Sequence, residues 1–474
     1  MVGGGITGVM TAYLLERAGK RVALLELGRI GQGTTGHTTA KLTVGHGLVY
    51  GELVAAHGPE VARLYAESNQ AAIAELEETV GRHGIDCDWE PASNYVYTVF
   101  PDRVRDLEDE ADAARLAGVE AVLTRETELP FPVEAALRVD GQAQFHPIEF
   151  LQGLASHVAG EGCQVFELTR ATCLRRGEVY TVETPLGVAR APHVVLATQL
   201  PFADRGLFFA KAHPRKSYAI SAHVDEAEAP RDMFINIDMP TRSIRSAPAD
   251  SGARFLIVAG ESGKPGEADA EGRYAALEAF LHEHFAAEAS HRWSAHDFVP
   301  VDGLPYIGPL TRRDERAYVA TGFSKWGLTK GAFAAGLIAD AILERPNASA
   351  RLYDPRRRSG GRTAARLASE NAQVASHFLV DRLQPPTNRA ELEAFASGEG
   401  AVVRVGARQY AVHRDESGVL HALSARCTHL GCIVGWNGVE RTWECPCHGS
   451  RFAADGTLVQ GPATRDLERR SLPE

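Results

Sequence analysis

The chain has 474 residues, 44% of them apolar and 23% charged, with a formal net charge of −11 at neutral pH. That length exceeds what one hydrophobic core supports, so two or three domains are expected, and the composition is that of a globular protein rather than a disordered or membrane one. The acidic balance argues against a nucleic-acid partner, because phosphate backbones are bound by clustered Lys and Arg; the basic runs "RRDER" and "PRRRSG" are short and read as solvated surface.

The chain opens "MVGGGITGVMTAYLLERAGKRVALLELGRIG", with Gly3, Gly5 and Gly8 spaced G-x-G-x-x-G, an apolar helical pattern from Val9 to Leu15, and a strand "RVALLE" ending in Glu26. Glycines at that spacing allow a tight turn into a helix and close backbone approach to a pyrophosphate, which the helix N-terminus then meets with free N–H groups. Glu26 stands where a carboxylate accepts hydrogen bonds from a ribose. The pattern expects a full buried strand before the glycines, yet only Met1 and Val2 precede them, which points to a start lying upstream or to a stunted first strand, the former being the expectation. No apolar stretch approaches the ~20 residues of a membrane helix and no leader pattern opens the chain, so the expectation is no membrane span and a cytoplasmic location. Cys87, Cys163 and Cys173 are scattered, as suits reduced core thiols.

Between about 90 and 142 the sequence reads as a strand "NYVYTVF" and a helix from Pro101 to Ala117. From about 214 to 300 it reads as the strands "KSYAISAHV", "MFINID" and "RFLIVAGES", then a helix near Gly272 to Phe285. Apolar and polar residues alternate along these strands, as in an antiparallel sheet with one covered face. Interleaved with them, "APHVVLATQLP" (Ala191 to Pro201) is a buried strand, and "VDGLPYIGPL" precedes "AYVATGFSKWGLTKGAFAAGLIADAI", a strand, a glycine turn and an apolar helix.

On these segments, residues 1 to about 350 resemble the FAD-dependent amine and amino-acid oxidoreductases, the family of glycine, sarcosine and D-amino-acid oxidases. The resemblance implies that Gly3, Gly5, Gly8 and Glu26 bind the ADP half of FAD. It also implies that Gly327, Leu328 and Thr329 bring a helix N-terminus to the pyrimidine edge of the flavin, where the dipole stabilises negative charge. The segment "GQGTTGHTTAKLT" lies where relatives wrap around the flavin. His37, with Thr38 beside it, takes the place of a histidine that dimethylglycine-dehydrogenase-like relatives link covalently to the ring, but Gly36 stands where they have an aromatic, so a hydrogen-bonding loop histidine is the expectation. Lys41, Tyr218 and Trp326 are candidates for the catalytic cavity; the structural alternatives are a solvated lysine and two packing aromatics. No lysine matches the one with which sarcosine oxidases activate oxygen, which favours another electron acceptor.

From Thr363 to Leu383, between Gly-Gly and Pro-Pro, apolar residues recur every three or four positions, the mark of an amphipathic helix. At 1.5 Å per residue it spans ~30 Å. Short strands "GAVVRVG", "RQYAVHR" and "GVLHALSA" follow. Then come Cys427-x-His429 and, after fifteen residues, Cys445-x-x-His448. Two thiolates and two imidazoles suit a structural zinc or an iron–sulfur cluster with two sulfurs on one iron and two nitrogens on the other. Zinc sites usually pair Cys-x-x-Cys with a distant histidine pair, whereas each half here holds one of each, which favours iron and sulfide.

The wording "CTHLGC…CPCHGS" closely resembles the Rieske [2Fe–2S] signature. The resemblance implies a disulfide between Cys432 and Cys447 clamping the two ligand loops, a proline loop at "QGPATRDL", a hydrogen bond from Ser450 toward a cluster sulfide, and ligand histidines at a solvent-facing tip. Phe452 replaces a tyrosine donor of respiratory members, so the potential is expected below the top of the Rieske range of about −150 to +300 mV.

The expected architecture is an α/β FAD-binding domain, Rossmann-like and of the glutathione-reductase type, an α+β antiparallel-sheet substrate domain, and a small all-β Rieske domain. The FAD domain is placed at residues 1–89, 143–213 and 301–350, the substrate domain at 90–142 and 214–300, the helical linker at 351–384 and the Rieske domain at 385–474. The expected function is oxidation of an amine or amino-acid-like substrate by hydride transfer to FAD, with single electrons passing through the [2Fe–2S] cluster to a protein redox partner. Two alternatives stand beside it: a cluster-fed flavin reductase or oxygenase running in reverse, and a non-catalytic redox sensor or electron-transfer module.

Overall fold

The computed structural model describes residues 1–160, 162–267, 269–357, 361–380 and 394–472. Its first layer is a largely parallel sheet. Val22–Leu25 pairs in parallel with Cys163–Phe166, and Val194–Leu196 with Ala317–Thr321, which Tyr306–Pro309 joins antiparallel. Val2 bridges the two halves, facing Leu25 on one side and Leu196 on the other. Backbone bonds Val2 N to Val195 O (2.9 Å), Ala197 N to Val2 O (2.8 Å) and Gly3 N to Leu25 O (2.8 Å) satisfy Met1–Gly3 on both edges. Val2 therefore joins the two halves as a single bridging residue. The apolar helices Ile6–Arg17 and Gly327–Ile342 pack on this sheet, and the long helix Pro59–His83 closes the same core.

The second layer is a nine-stranded sheet containing, in spatial order, His291–Pro300, Ala212–Asp225, Ala253–Gly263, Arg242–Pro248, Met233–Asn236, Glu90–Thr98, Ala135–Gln144 and Lys41–Leu42, with Val122–Thr124 off the path. Its pairings are antiparallel except that of Met233–Asn236 with Glu90–Thr98, which is parallel. The helix Ala270–Phe285 covers one face through Tyr274, Leu277 and Leu281, which pack with Tyr218, Ile220 and Val258. The other face roofs the opening between the two layers.

The C-terminal unit combines a three-stranded antiparallel sheet (Gly400–Val405, Arg408–Arg414, Leu420–Ser424) with a four-stranded one (Gly435–Asn437, Thr442–Glu444, Arg451–Ala453, Leu458–Gln460). Trp443, Phe452 and Leu458 form its core. The helix Gly361–Val380 runs between the units: Glu370 pairs with Arg215 at 2.7 Å, Asn371 donates to Ala210 O at 3.0 Å, and Val374 packs on the C-terminal core. The end of the expected linker helix, 381–384, lies outside the described residues. Among the described residues no helix is long and apolar enough to cross a membrane.

Candidate functional site

The glycine turn is built so tightly that side chains have no room. Gly3 adopts φ +106°, and a Cβ there would lie 2.3 Å from Ala197 O; one on Gly8 would lie 1.8 Å from Gly3 O. Glu26 accepts from Gly4 N at 2.6 Å and Gly28 N at 2.8 Å. Burial raises its carboxyl above the ordinary value, partly offset by these N–H donors. The loop from Gly31 to Thr43 folds over the helix start, where Thr35 Oγ1 accepts from Ile6 N at 3.2 Å. Gly5 caps the helix without a side-chain hydrogen bond. A backbone cradle that excludes Cβ atoms, a helix N-terminus without a side-chain cap and a carboxylate fit the ADP half of FAD.

Beside the turn a cavity of about 250 Å³ lies under the roof sheet. Thr34, His37 and Thr38 border it from the loop, and Gly327 and Leu328 from the start of the Gly327–Ile342 helix. That helix start has no side-chain cap and no acid in its first turn, so its positive end is available to an anionic edge. Thr329 lies behind the wall, fully buried. His37 is exposed and bonds through Nδ1 to Gly33 O at 2.9 Å.

Lys41 differs from the solvated alternative. It sits in the strand Lys41–Leu42, borders the cavity, is buried, and donates to Phe234 O. Burial, with the Arg245 charge adding to it, holds its ammonium well below the usual value. Tyr218 borders the cavity, but its ring stands edge-on to Tyr274 at 5.1 Å in the covered core. Trp326 stacks on His46 at 4.4 Å at the cavity wall.

Several wall residues had no motif to announce them. Lys325, in a left-handed conformation, exposes its side chain to the cavity; its Nζ donates to Ser262 Oγ at 2.5 Å and its backbone N to Asp297 Oδ2 at 2.8 Å. Behind it Lys330 is buried over the Tyr65 ring at 5.3 Å. Burial lowers its ammonium to about 7 despite the nearby Asp297. Gln199 and His296 complete the far wall. The left-handed turn at Ser324–Lys325 lay within the "TGFSKWGLTKG" segment, but nothing in the spacing of Gln199 or His296 points to a cavity.

In the C-terminal unit the two ligand loops converge. The buried free thiols of Cys427 and Cys445 share a hydrogen bond, which holds Cys427 below the ordinary thiol value and, with burial, pushes Cys445 well above its own. The imidazoles of His429 and His448 lie 5.0 Å apart at 87°. Both Nδ1 atoms are buried with no hydrogen-bond partner. Burial lowers the two imidazoles to about 4 and about 3, so both are neutral at pH 7. Convergent thiols and neutral imidazoles with orphaned nitrogens fit a Rieske-type donor set. Cys432 and Cys447 form a disulfide, Cα–Cα 6.6 Å, joining the loops. The sulfurs of Cys432, Cys445 and Cys447 lie within 4.8 Å of one another, but two of these belong to the disulfide and are not thiolates. Ser450 bonds the Cys427 thiol and accepts from Ala463 N at 3.0 Å, tying the proline loop to the ligand loops.

The solvent-facing tip expected for the histidines holds for only one of them. His429 is half-buried beside the exposed Leu430, whereas His448 is 2% exposed and meets the Phe209 ring edge-on at 5.5 Å. The cause is docking of the C-terminal unit on the roof sheet. Lys216, on the roof strand Ala212–Asp225, reaches Glu444 at 2.7 Å and Glu440 at 3.4 Å, while Arg451 pairs with both acids. Gly266 N adds a hydrogen bond to Glu444 at 3.2 Å. Lys216 is 1% exposed and Glu444 2%, and the cations beside Glu444 outweigh its burial, lowering its carboxyl to about 2.

Two family descriptions match this chain: FAD dependent oxidoreductase over residues 1–341 and Rieske [2Fe-2S] domain over residues 387–471. A Rieske 2Fe-2S iron-sulfur protein named YhfW, from Bacillus subtilis (strain 168), is 36% identical over 476 residues, spanning 100% of this chain and 93% of that one. The cytochrome b6-f complex iron-sulfur subunit of Synechococcus sp. (strain JA-3-3Ab) is 41% identical over 91 residues, 19% of this chain and 53% of the subunit. Glycine oxidase from Geobacillus kaustophilus superposes with a TM-score of 0.62 over 76% of this chain and 98% of its own, at 22% identity, a likeness of fold.

Proposed function

Since the chain belongs to the FAD-dependent oxidoreductase family and carries a Rieske [2Fe–2S] domain, we propose that it oxidises an amine or amino-acid-like substrate and passes the electrons through its cluster to a protein partner. FAD, when bound, accepts two electrons from a substrate, and the [2Fe–2S] cluster relays one at a time. The chain's own residues bind, orient and shield. Gly3, Gly5 and Gly8 keep side chains away from the pyrophosphate path, and Glu26 offers its carboxylate to the ribose. Gly327 and Leu328 present the helix start to the flavin's pyrimidine edge, and His37 holds the loop through Gly33. Cys427, His429, Cys445 and His448 hold the cluster. The roof strands exclude water above the cavity.

The observation that carries the substrate reading is Lys325: an accessible cation on the cavity wall, with its Nζ beside Ser262 Oγ. A carboxylate bonded by an ammonium and a hydroxyl gains a charge-assisted contact, and that fixes the remainder of a small amino acid under the roof. The fold of glycine oxidase over three quarters of the chain supports the same class. A cytoplasmic setting belongs to this reading: Cys87, Cys163 and Cys173 are free thiols, and Cys432 and Cys447 are buried away from reductants.

An anaerobic screen of amines and amino acids with the holoprotein tests it. The expected result is bleaching of the flavin absorbance by a carboxylate-bearing amine, followed by the electron paramagnetic resonance signal of the reduced cluster. Bleaching by no such compound, with both centres reduced instead by an NAD(P)H-linked reductase, would falsify the proposal and support the reverse direction.

A further inference from the structure

The two cluster histidines lie in different surroundings, and the wall of the cavity explains why. His296, on the strand His291–Pro300, is buried at the cavity's far side, and its Nε2 faces Gly449 so closely that a Cβ there would stand 2.7 Å away. Gly449 follows His448 in the chain. The His296 carbonyl accepts from Gln199 Nε2 at 2.8 Å and Thr34 Oγ1 at 3.2 Å. Gln199 in turn bonds Gln460, which also reaches Thr34 at 3.4 Å. Gln460 opens the proline loop "QGPATRDL". Thr34, Gln199 and His296 all border the cavity, so one wall of the cavity is also the surface on which the cluster-binding loops rest.

We infer that the cavity and the cluster exchange electrons through this fixed internal joint, with His448 as the inward-facing ligand and His429 as the outward one. His448 is sealed by Phe209 and the joint, whereas His429 stands beside Leu430 at the surface. The Lys216–Glu444 contact, one residue before Cys445, keeps the joint closed.

Each passage moves one electron: the reduced flavin loses one and one ferric iron of the cluster becomes ferrous. Two passages empty a two-electron-reduced flavin, and its protons leave to water through the cavity mouth. Between them a one-electron acceptor protein must take the first electron from the outward side. Gln199, His296, Gln460 and Phe209 are positioning residues in this scheme. The inference rests on the proposed cluster ligands, on FAD in the cavity and on electrons moving from flavin to cluster, and not on the identity of the substrate.

The test reduces the flavin of the anaerobic holoprotein photochemically, without any substrate, and follows the cluster by electron paramagnetic resonance. In the double variant Gln199→Cys, Gln460→Cys, joined by a short reducible bismaleimide because the two side chains meet only at their tips and a direct disulfide would not reach, cluster reduction should persist within about twofold of the parent rate, because the docked geometry is already the reactive one. Gln460→Lys and Phe209→Ala should each slow it by about 10-fold with the spectrum of the cluster and the FAD content unchanged, since a small displacement suffices to cost that much. Leu430→Arg, on the outer side, should leave the rate unchanged. Arrest of reduction on cross-linking, reversed by reducing the cross-link, would show that the domain must leave the joint and would overturn the inference. So would slowing by Leu430→Arg with none from the inner variants. Failure of the amine screen leaves this measurement intact, so the two readings can fail separately.

Discussion

The four proposed cluster ligands all fall between Cys427 and His448, whereas the cavity wall is drawn from Thr34, Lys41, Gln199, His296 and Lys325. A cluster needs a few donors at bonding distance, and two short loops joined by a disulfide deliver them from neighbouring sequence. A substrate cavity needs a shape, and that shape exists only where two sheets meet. A contiguous centre can be lost without disturbing the rest. A distributed one depends on every element that forms its walls.

The largest effect expected from that contrast is all-or-none. Cys445→Ser removes a cluster thiolate, and its holoprotein should lose the cluster resonance completely while FAD content stays at the parent level. A parallel loss of FAD would break the comparison by making the two centres one folding unit. Lys216→Met comes next. It strips a buried partner from Glu444 and should cost about 3–5 kcal/mol in chemical denaturation; an unchanged midpoint would mean that the joint is held elsewhere. Lys325→Met should raise KM for a carboxylate-bearing substrate by about 10- to 100-fold, the worth of a hydrogen bond to a charged group at about 1.5–3 kcal/mol, with kcat much less affected. An equal fall in kcat would move Lys325 from substrate binding to the chemistry.

A more gradual effect, spread over several pH units, concerns Lys330. Its folded value of about 7 lies below the 10.5 of a free lysine, so the unfolded chain binds the proton more tightly than the folded one between those two values. Stability therefore rises with pH across that window by at most about 1.4 kcal/mol per pH unit, and is flat below it. Relative to Lys330→Met, the parent protein should gain stability from about pH 7 toward 10.5. Denaturation midpoints of both proteins at several pH values give the slope, and parallel lines would mean that Lys330 is not desolvated.

Much of the fold was legible because its signals are local. The glycine spacing at Gly3, Gly5 and Gly8 reflects backbone contacts a few residues apart and one crossing to Ala197. The helices Ile6–Arg17 and Gly327–Ile342 follow continuous apolar runs, and Ala270–Phe285 begins two residues before the expected Gly272 and ends at the expected Phe285. Before Gly3 the expected strand is a single bridging residue, Val2, hydrogen-bonded on both edges. Lys41 read as a loop lysine because two residues of strand pairing with Ala143 and Gln144 leave no pattern of their own.

From sequence alone came the two kinds of centre this protein carries, an FAD-dependent oxidoreductase domain and a Rieske [2Fe–2S] domain on one chain, and the donors and glycines proposed to serve them. Those assignments depend on residue types at fixed short spacings, which the covalent backbone enforces. Tertiary structure alone decided how the two sites face each other. Lys216 meets Glu444 across 228 positions and Gln199 meets Gln460 across 261, and such pairs leave no periodicity in the chain. They form only once two separately built surfaces come together and bury their charges, and that contact turned His448 inward and left His429 at the surface.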